Sequence, residues 1–161
     1  DGVTYGRYGT ETVLALASAI ARLERGHQAV LTSSGTAAIT LSLSAFLQAG
    51  DHVLVIDTVY RSTRRFCDEV LRSYGIGVSY FPPAIGGAIA ELIRPNTRMV
   101  FIETPGSLTF DLTDVGAITA VTKPHGIITA LDNTWATPLL FRPIEHGIDI
   151  SLASATKYLS G

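Results

Sequence analysis

The sequence predicts an α/β fold, a mostly parallel sheet with helices on both faces. Apolar, β-favouring runs begin near residues 52, 77, 98, 127 and 149, and stretches with helical periodicity separate them. Strands that alternate with helices form successive βα units, which build a parallel sheet. Small, aromatic or ionisable residues follow the predicted strands: Gly35, Tyr60, Glu103, Asp132 and Lys157. Because ligands in such folds bind outside the carboxyl ends of the strands, one edge of the sheet is predicted to hold the site.

The composition is that of one globular domain. The 161 residues are 47% hydrophobic and 16% charged, and the net charge of −2 gives no reason to expect nucleic acid or an anionic membrane as a partner. The single cysteine, Cys67, excludes an internal disulfide framework and suits a reducing compartment. The four histidines lack ligand spacing, so no metal site is indicated, and no apolar run is long enough to span a bilayer. We therefore predict a cytoplasmic protein.

The first ten residues are predicted to form an arm, separate from the α/β domain of residues 11–161. The arm carries glycines, aromatic rings and one guanidinium in Tyr5-Gly6-Arg7-Tyr8-Gly9-Thr10. Such a run is typical of a flexible terminus, and it also suits an arm that reaches a phosphate. The chain starts without methionine and stops four residues after Lys157, so it is expected to be a piece of a longer protein.

The first elements of the domain contain a candidate phosphate site. Helical spacing of apolar residues predicts an amphipathic helix over Glu11–Arg25, and Gln28–Thr32 is a strand candidate. The strand runs into Ser33–Thr36, which opens a helix over Ala37–Leu47. A turn at a helix N-terminus aims free N–H groups at an anion, although plain capping by serine explains the same residues. The run is neither a dinucleotide fingerprint nor a P-loop.

The remaining elements follow in alternation. They are a strand at 52–57, a helix through Phe66, Val70 and Tyr74, a strand at 77–81, a weaker helix at 84–93 with Gly86-Gly87, a strand at 98–103, a helix at 113–121, and strands at 127–131 and 149–153. Tyr60 lies just beyond the first of these strands, where an aromatic face either covers a flat ligand or packs against its neighbours.

Two ionisable residues suggest the chemistry of the site. Lys157 stands among small hydroxyl side chains in Ser154-Ala155-Thr156-Lys157, directly after a predicted strand. An amine in such a place can form a Schiff base with a carbonyl, and the hydroxyls can hold an anionic group. Asp132 ends another buried strand, where an acid needs a cationic partner such as a pyridinium nitrogen. A solvated lysine and a turn-capping aspartate are the structural alternatives.

These motifs together resemble the Cys/Met-metabolism family of pyridoxal-phosphate (PLP) enzymes, and most of all its cystathionine β-lyase branch. The resemblance covers all 161 residues, and its motifs are Tyr5-Gly6-Arg7, Ser34-Gly35-Thr36-Ala37-Ala38, Tyr60, Glu103-Thr104-Pro105-Gly106-Ser107, Leu131-Asp132-Asn133-Thr134-Trp135 and Ser154-Ala155-Thr156-Lys157. It implies the large cofactor-binding domain of a fold type I enzyme, of the aspartate aminotransferase type. It also implies a homotetramer built from dimers with shared active sites.

The resemblance assigns a role to each candidate residue. Lys157 would hold PLP as a Schiff base and move the substrate's α-proton, with Tyr5 as a second candidate for proton transfer. Asp132 would pair with the ring nitrogen and Tyr60 would stack on the ring. The cofactor's phosphate would be held by Gly35, Thr36, Ser154 and Thr156, and by Tyr5 and Arg7 of a neighbouring subunit.

The implied reaction is β-elimination of L-cystathionine to homocysteine, pyruvate and ammonia. Gly106-Ser107-Leu108 stands where γ-acting relatives usually have Ser-Asn-Pro, which favours the β-lyases. A γ-acting relative (cystathionine γ-synthase, cystathionine γ-lyase or methionine γ-lyase) is one alternative. A non-catalytic phosphate- or nucleotide-binding module is another, since the fold alone permits it. The family's C-terminal domain, with the arginine that grips the substrate carboxylate, would follow Gly161.

Overall fold

Five parallel strands form a single sheet in the computed structural model, which describes residues 5–160. The strands are β1 (His52–Ile56), β2 (Gly77–Phe81), β3 (Thr97–Glu103), β4 (Ile128–Asp132) and β5 (Ile150–Leu152). Every neighbouring pair is parallel, and the order across the sheet is β2-β1-β3-β4-β5. The predicted α/β class is confirmed.

Over the described residues the sheet is accompanied by five α-helices: α1 (Glu11–Leu23), α2 (Gly35–Phe46), α3 (Arg61–Arg65), α4 (Val115–Thr122) and α5 (Thr137–Leu140). A π-helical segment (Phe66–Leu71) and a 3₁₀ turn (Arg72–Tyr74) extend α3, and further 3₁₀ segments are Gly6–Tyr8, Pro83–Leu92, Lys123–His125 and Pro143–His146. Side-chain oxygens of Thr10, Ser34 and Asp114 cap α1, α2 and α4, as the first N–H groups of a helix require. Within residues 5–160 no helix is both long and apolar enough to cross a membrane.

The core lies on both faces of the sheet. All five residues of β1 are buried, as are the last five of β3. A strand can bury successive side chains only if both faces of the sheet are covered, because those side chains alternate between the faces. Among the helical segments, α2 contacts α3, and the segment Pro83–Leu92 contacts α4.

The strand predicted over Gln28–Thr32 is wrong. These residues are irregular in the structure, and Val30 is 72% exposed. A strand needs a partner to satisfy its N–H and C=O groups, and the backbone hydrogen bonds described for residues 5–160 supply no ladder partner here. The short apolar run Ala29-Val30-Leu31 was therefore insufficient evidence for a strand.

Other elements differ in detail from the prediction. The weaker helix at 84–93 is a 3₁₀ segment, and Gly86 interrupts it with a left-handed φ of 48°. Two successive glycines disfavour a regular helix, which explains the irregularity. The helix predicted from residue 113 begins at Val115, because Asp114 serves as its N-cap. The short helix α5 was not predicted; its four residues are too few to show a periodic pattern.

The strand order places a topological switch between β1 and β3. The chain passes from β1 outwards to β2, then returns to the other side of β1 to form β3, and continues through β4 to β5. Connections that leave in opposite directions open a crevice at the carboxyl ends of the two central strands. The crevice is bordered by the residues that follow β1 and by the end of β3, which include Tyr60 and Glu103.

The opposite edge of the sheet contains a buried histidine with two hydroxyl partners. The ring of His52 is fully buried, with Nδ1 2.8 Å from Thr97 Oγ1 and Nε2 3.0 Å from Ser79 Oγ. Burial, and to a smaller extent the nearby Arg94 guanidinium, lowers the pKa of His52 to about 4. His52 is therefore neutral at physiological pH and has a structural role.

We predict that His52 makes the protein less stable in mild acid. Between pH 7 and pH 5 the unfolded chain takes up a proton, because its histidine pKa is about 6.5, while the folded chain does not. The free energy of unfolding should fall by about 2 kcal/mol from this residue over that interval. Urea unfolding of the full-length protein at the two pH values should show a smaller loss in His52→Gln than in wild type. Equal losses in both proteins would contradict the prediction.

Candidate functional site

The carboxyl ends of three adjacent strands are level with one another. Glu103 pairs in register with Asp132, and Asp132 pairs with Leu152. The segments that leave β3, β4 and β5 therefore start from the same edge, as the sequence predicted. These segments bring together Glu103, Asp132 and the Ser154–Lys157 turn.

A tight contact joins the start of α2 to the segment after β5. A Cβ atom built on Gly35 would lie 2.7 Å from Ser154 Cβ, so only glycine allows this approach. Ser154 Oγ is 3.1 Å from Thr156 Oγ1, and Thr36 is exposed in the first turn of α2. Ser34 Oγ accepts the Ala37 N–H at 3.0 Å, so the serine does cap the helix. The twelve-residue helix thus directs its N-terminus towards two hydroxyl groups, an arrangement that suits an anion.

Asp132 is connected to this hydroxyl cluster through Thr134. Asp132 Oδ1 accepts the Thr134 N–H at 2.9 Å, and Thr134 Oγ1 accepts the Ser154 N–H at 2.8 Å. Burial raises the pKa of the Asp132 carboxyl, and the hydrogen bonds from Thr134 act against that rise. A buried carboxylate is stabilised by a neighbouring cation. Sequence reasoning gave Thr134 no role, although its place two residues after an aspartate is typical of an Asx turn.

Tyr60 and Glu103 meet across the crevice between β1 and β3. Glu103 Oε2 accepts the Tyr60 backbone N–H at 2.7 Å. Glu103 is buried, and its pKa is raised to about 7; burial is the largest cause, the Tyr60 hydrogen bond opposes it and the Asp132 charge adds to it. The Tyr60 side chain is 52% exposed, so its aromatic ring is available at the site.

Lys157 lies in the turn that follows β5. Its N–H donates to Ser154 O at 3.0 Å, which places the residue one turn from the hydroxyl cluster. The Lys157 side chain is exposed among the described residues. Its neighbour Tyr158 contacts Trp135 at a ring-centroid distance of 5.2 Å, so aromatic residues border the turn.

The candidate arm residues Tyr5 and Arg7 contact each other at the start of the described chain. Arg7 belongs to the 3₁₀ turn Gly6–Tyr8, and its guanidinium carbon is 5.5 Å from the centre of the Tyr5 ring. The hydrogen bonds and ion pairs described within residues 5–160 do not join Arg7 to Gly35 or Ser154. Residues 1–4 of the predicted arm lie outside the described residues.

Comparison with known proteins decides the family. The model of the "Cys/Met metabolism PLP-dependent enzyme" family matches residues 1–161, the whole chain. The chain belongs to this family. The predicted family and its cofactor, PLP, are thereby confirmed, and the fold is that of the large domain of a fold type I enzyme.

Similar proteins with three different names match the chain. Cystathionine beta-lyase MetC of Escherichia coli (strain K12) is 44% identical over 98% of the chain, and L-alanine/L-glutamate racemase of Wolbachia pipientis wMel is 42% identical over 100%. The solved structure of cystathionine gamma-lyase from Lactobacillus plantarum, complexed with L-serine, superposes with a TM-score of 0.94 and 36% identity over 98% of the chain. The chain spans 40% of the length of the two curated relatives and 41% of the solved chain.

The residues at this edge of the sheet fit PLP. The approach of Gly35 to Ser154 forms a cradle that a side chain would fill, beside two hydroxyls and a helix N-terminus, which suits the phosphate. Asp132 provides the buried carboxyl that a protonated ring nitrogen needs, and Tyr60 provides an exposed aromatic face.

We predict that Gly35→Ala weakens PLP binding. The new methyl group would displace Ser154, and overpacking of this kind costs about 1–3 kcal/mol, or about 5- to 150-fold in Kd. Absorbance titration of the full-length apoprotein with PLP measures the change. Gly116→Ala in α4 is the matched control, because its Cβ would meet only Asp114 Oδ1 at 3.5 Å. The same Kd in Gly35→Ala and wild type would show that the cradle does not hold the phosphate.

Proposed function

We propose that the full-length protein is a PLP-dependent carbon–sulfur lyase that carries out β-elimination of L-cystathionine to homocysteine, pyruvate and ammonia. The observation that carries this proposal is the grouping of a buried carboxyl, a lysine and an anion cradle at one sheet edge, in Asp132, Lys157 and Gly35–Ser154. Several relatives named cystathionine beta-lyase support the choice of reaction.

Each residue of the cluster has a defined task in the proposed reaction. PLP, when bound, supplies the electron sink for the carbanion of an amino-acid substrate. Lys157 Nζ would hold the cofactor and would also take the proton from the substrate's α-carbon. Asp132 would keep a proton on the ring nitrogen through its negative charge. Ser154, Thr156 and the N-terminus of α2 would hold the phosphate.

Product analysis distinguishes the proposed reaction from its neighbours. With L-cystathionine as substrate, β-elimination releases pyruvate, whereas γ-elimination releases 2-oxobutyrate. The likeness to a cystathionine gamma-lyase structure makes the second outcome the main alternative. Since a racemase is also among the relatives, L-alanine should be tested in parallel by chiral chromatography. Pyruvate from cystathionine, with L-alanine unchanged, is the expected result, and 2-oxobutyrate or racemised alanine as the main product would overturn the proposal.

The assembly and the location are part of the same proposal. We infer a cytoplasmic homotetramer of dimers in which the arm of residues 1–10 serves the domain of a neighbouring subunit. The Arg7 side chain is exposed, so its guanidinium is available for charge-assisted bonds to a phosphate held by another chain.

Subunit mixing tests the shared site. Arg7→Ala and Lys157→Ala are each expected to inactivate the full-length protein, and hybrids formed by exchange should contain some sites in which both residues are wild type. We therefore expect partial recovery of activity after mixing. Each variant mixed with wild-type protein under the same conditions is the control for exchange. No recovery despite demonstrated exchange would place both residues in the site of one subunit, or give Arg7 no role.

A further inference from the structure

Glu103 has no task in the proposed reaction, yet its carboxyl group is buried at the centre of the site. The residue ends β3 and is 8% exposed. Its side chain crosses the switch point between β1 and β3, and Oε2 accepts the Tyr60 N–H at 2.7 Å. A short hydrogen bond between a buried acid and a backbone group on another strand's loop fixes that loop in place.

The Tyr60 N–H depends on this partner. Tyr60 is the N-cap of the five-residue helix α3, and its own side chain makes no capping hydrogen bond. Its carbonyl accepts the Arg64 N–H at 3.1 Å, so the residue is held between α3 on one side and Glu103 on the other. Loss of the Glu103 carboxyl would leave the Tyr60 N–H without its acceptor. The Tyr60 backbone would then keep only one of its two hydrogen bonds, the one from the Arg64 N–H.

The loop after β1 and the loop after β3 are also in contact close to Tyr60. Ser107 N donates to Thr58 O at 2.8 Å, and a Cβ on Gly106 would lie 2.6 Å from Thr58 Cβ. These contacts fix the loop after β1 at Thr58, two residues before Tyr60. Removal of the Glu103 acceptor is therefore expected to release Tyr60 locally, while Thr58 stays attached to the loop after β3.

We propose that Glu103 is a positioning residue that holds the Tyr60 ring in its place over the bound cofactor. The inference rests on the proposed function, because Tyr60 matters only if its ring covers PLP. Burial, with a smaller contribution from the Asp132 charge, raises the pKa of Glu103 to about 7, so a neutral side chain is well tolerated at this position near pH 7. Glu103→Gln keeps a neutral side chain with a carbonyl acceptor for the Tyr60 N–H, whereas Glu103→Ala and Glu103→Leu remove the acceptor.

A double-mutant cycle on PLP affinity tests the inference in the full-length apoprotein. We expect Glu103→Ala to raise the Kd for PLP about 10-fold, the effect of one lost hydrogen bond to a charged or buried group. In a Tyr60→Phe background, which keeps the ring, the rise should be about the same. In a Tyr60→Ala background it should shrink to about 2-fold or less, because there is no ring left to position. Glu103→Gln should bind PLP within about 2-fold of wild type.

A second measurement reports the ring's surroundings without activity. Visible circular dichroism of the bound cofactor should change in Glu103→Ala and return to the wild-type signal in Glu103→Gln. If Glu103→Ala does not fold, Glu103→Leu takes its place, since it fills the buried volume without an acceptor. Equal rises in Kd in the Tyr60→Ala and Tyr60→Phe backgrounds would overturn the inference. Failure of the wild-type protein to bind PLP would instead overturn the proposed function.

Discussion

Lys157→Ala is expected to abolish both the elimination reaction and the visible absorbance of the cofactor in the full-length protein. The amine is the group that would attach PLP and move the α-proton, so its removal leaves no other residue of the Ser154–Lys157 turn for either task. A positioned acid–base group contributes about 10²–10⁴-fold on its own, and loss of the covalent attachment adds to that. Steady-state assays and absorbance spectra measure the two effects.

Lys123→Ala is the matched control, because the chain has only these two lysines. Lys123 lies in the 3₁₀ turn that precedes β4, at the opposite edge of the sheet from the site. This variant should keep the wild-type spectrum and turnover. Turnover of cystathionine by Lys157→Ala, or loss of the cofactor band in Lys123→Ala, would contradict the assignment of the amine.

Asp132→Ala is expected to lower turnover by several orders of magnitude while the sheet stays folded. Without the carboxylate the ring nitrogen loses the partner that keeps it protonated, and a neutral ring is a poorer sink for the carbanion. Asp132→Asn should be almost as slow, because the amide keeps the volume and the Thr134 hydrogen bond but not the charge. The measurement is kcat for both variants, with thermal unfolding to confirm the fold.

Asp149→Ala provides the control for an aspartate that only supports the strands. Asp149 Oδ2 accepts from Thr129 N at 2.8 Å and from Thr129 Oγ1 at 2.9 Å, just before β5 begins. Its loss should lower the melting temperature and leave kcat near that of wild type. If Asp132→Ala behaved in the same way, Asp132 would be a turn residue rather than part of the catalytic apparatus.

Several parts of the fold could be predicted from the chain itself because the physical signal is local. Short continuous apolar runs bounded by turn signals, such as those of β1 and β3, favour strands buried on both faces, and the structure has them within one residue of the predicted bounds. The polar residues that end these runs could be assigned to one edge, since parallel strands share their direction. The Glu103–Asp132 register agrees with that expectation.

Sequence patterns weaker than a complete apolar run did not predict the structure correctly. Gln28–Thr32 has the composition of a strand but no ladder partner among residues 5–160, and hydrogen-bond pairing is a property of the tertiary structure. The role of Glu103 was also hidden, because its partner Tyr60 is 43 positions away in the chain. A carboxyl at a strand end indicates a site, but the sequence does not state which backbone group it holds.

The class of the fold, the edge that carries the candidate site and, through the motifs, the family and cofactor could therefore be read from the amino-acid sequence. The fold class and the edge follow from periodicity and from residue types at strand ends, whereas the family and the cofactor follow from the resemblance of the motifs to known enzymes. The contacts between groups could be seen only in the folded protein: Gly35 against Ser154, Thr134 between Asp132 and Ser154, and the Glu103 carboxyl on the Tyr60 N–H. These contacts depend on strand order and on distances of a few tenths of an ångström, which arise when the five strands pack and which no local pattern encodes.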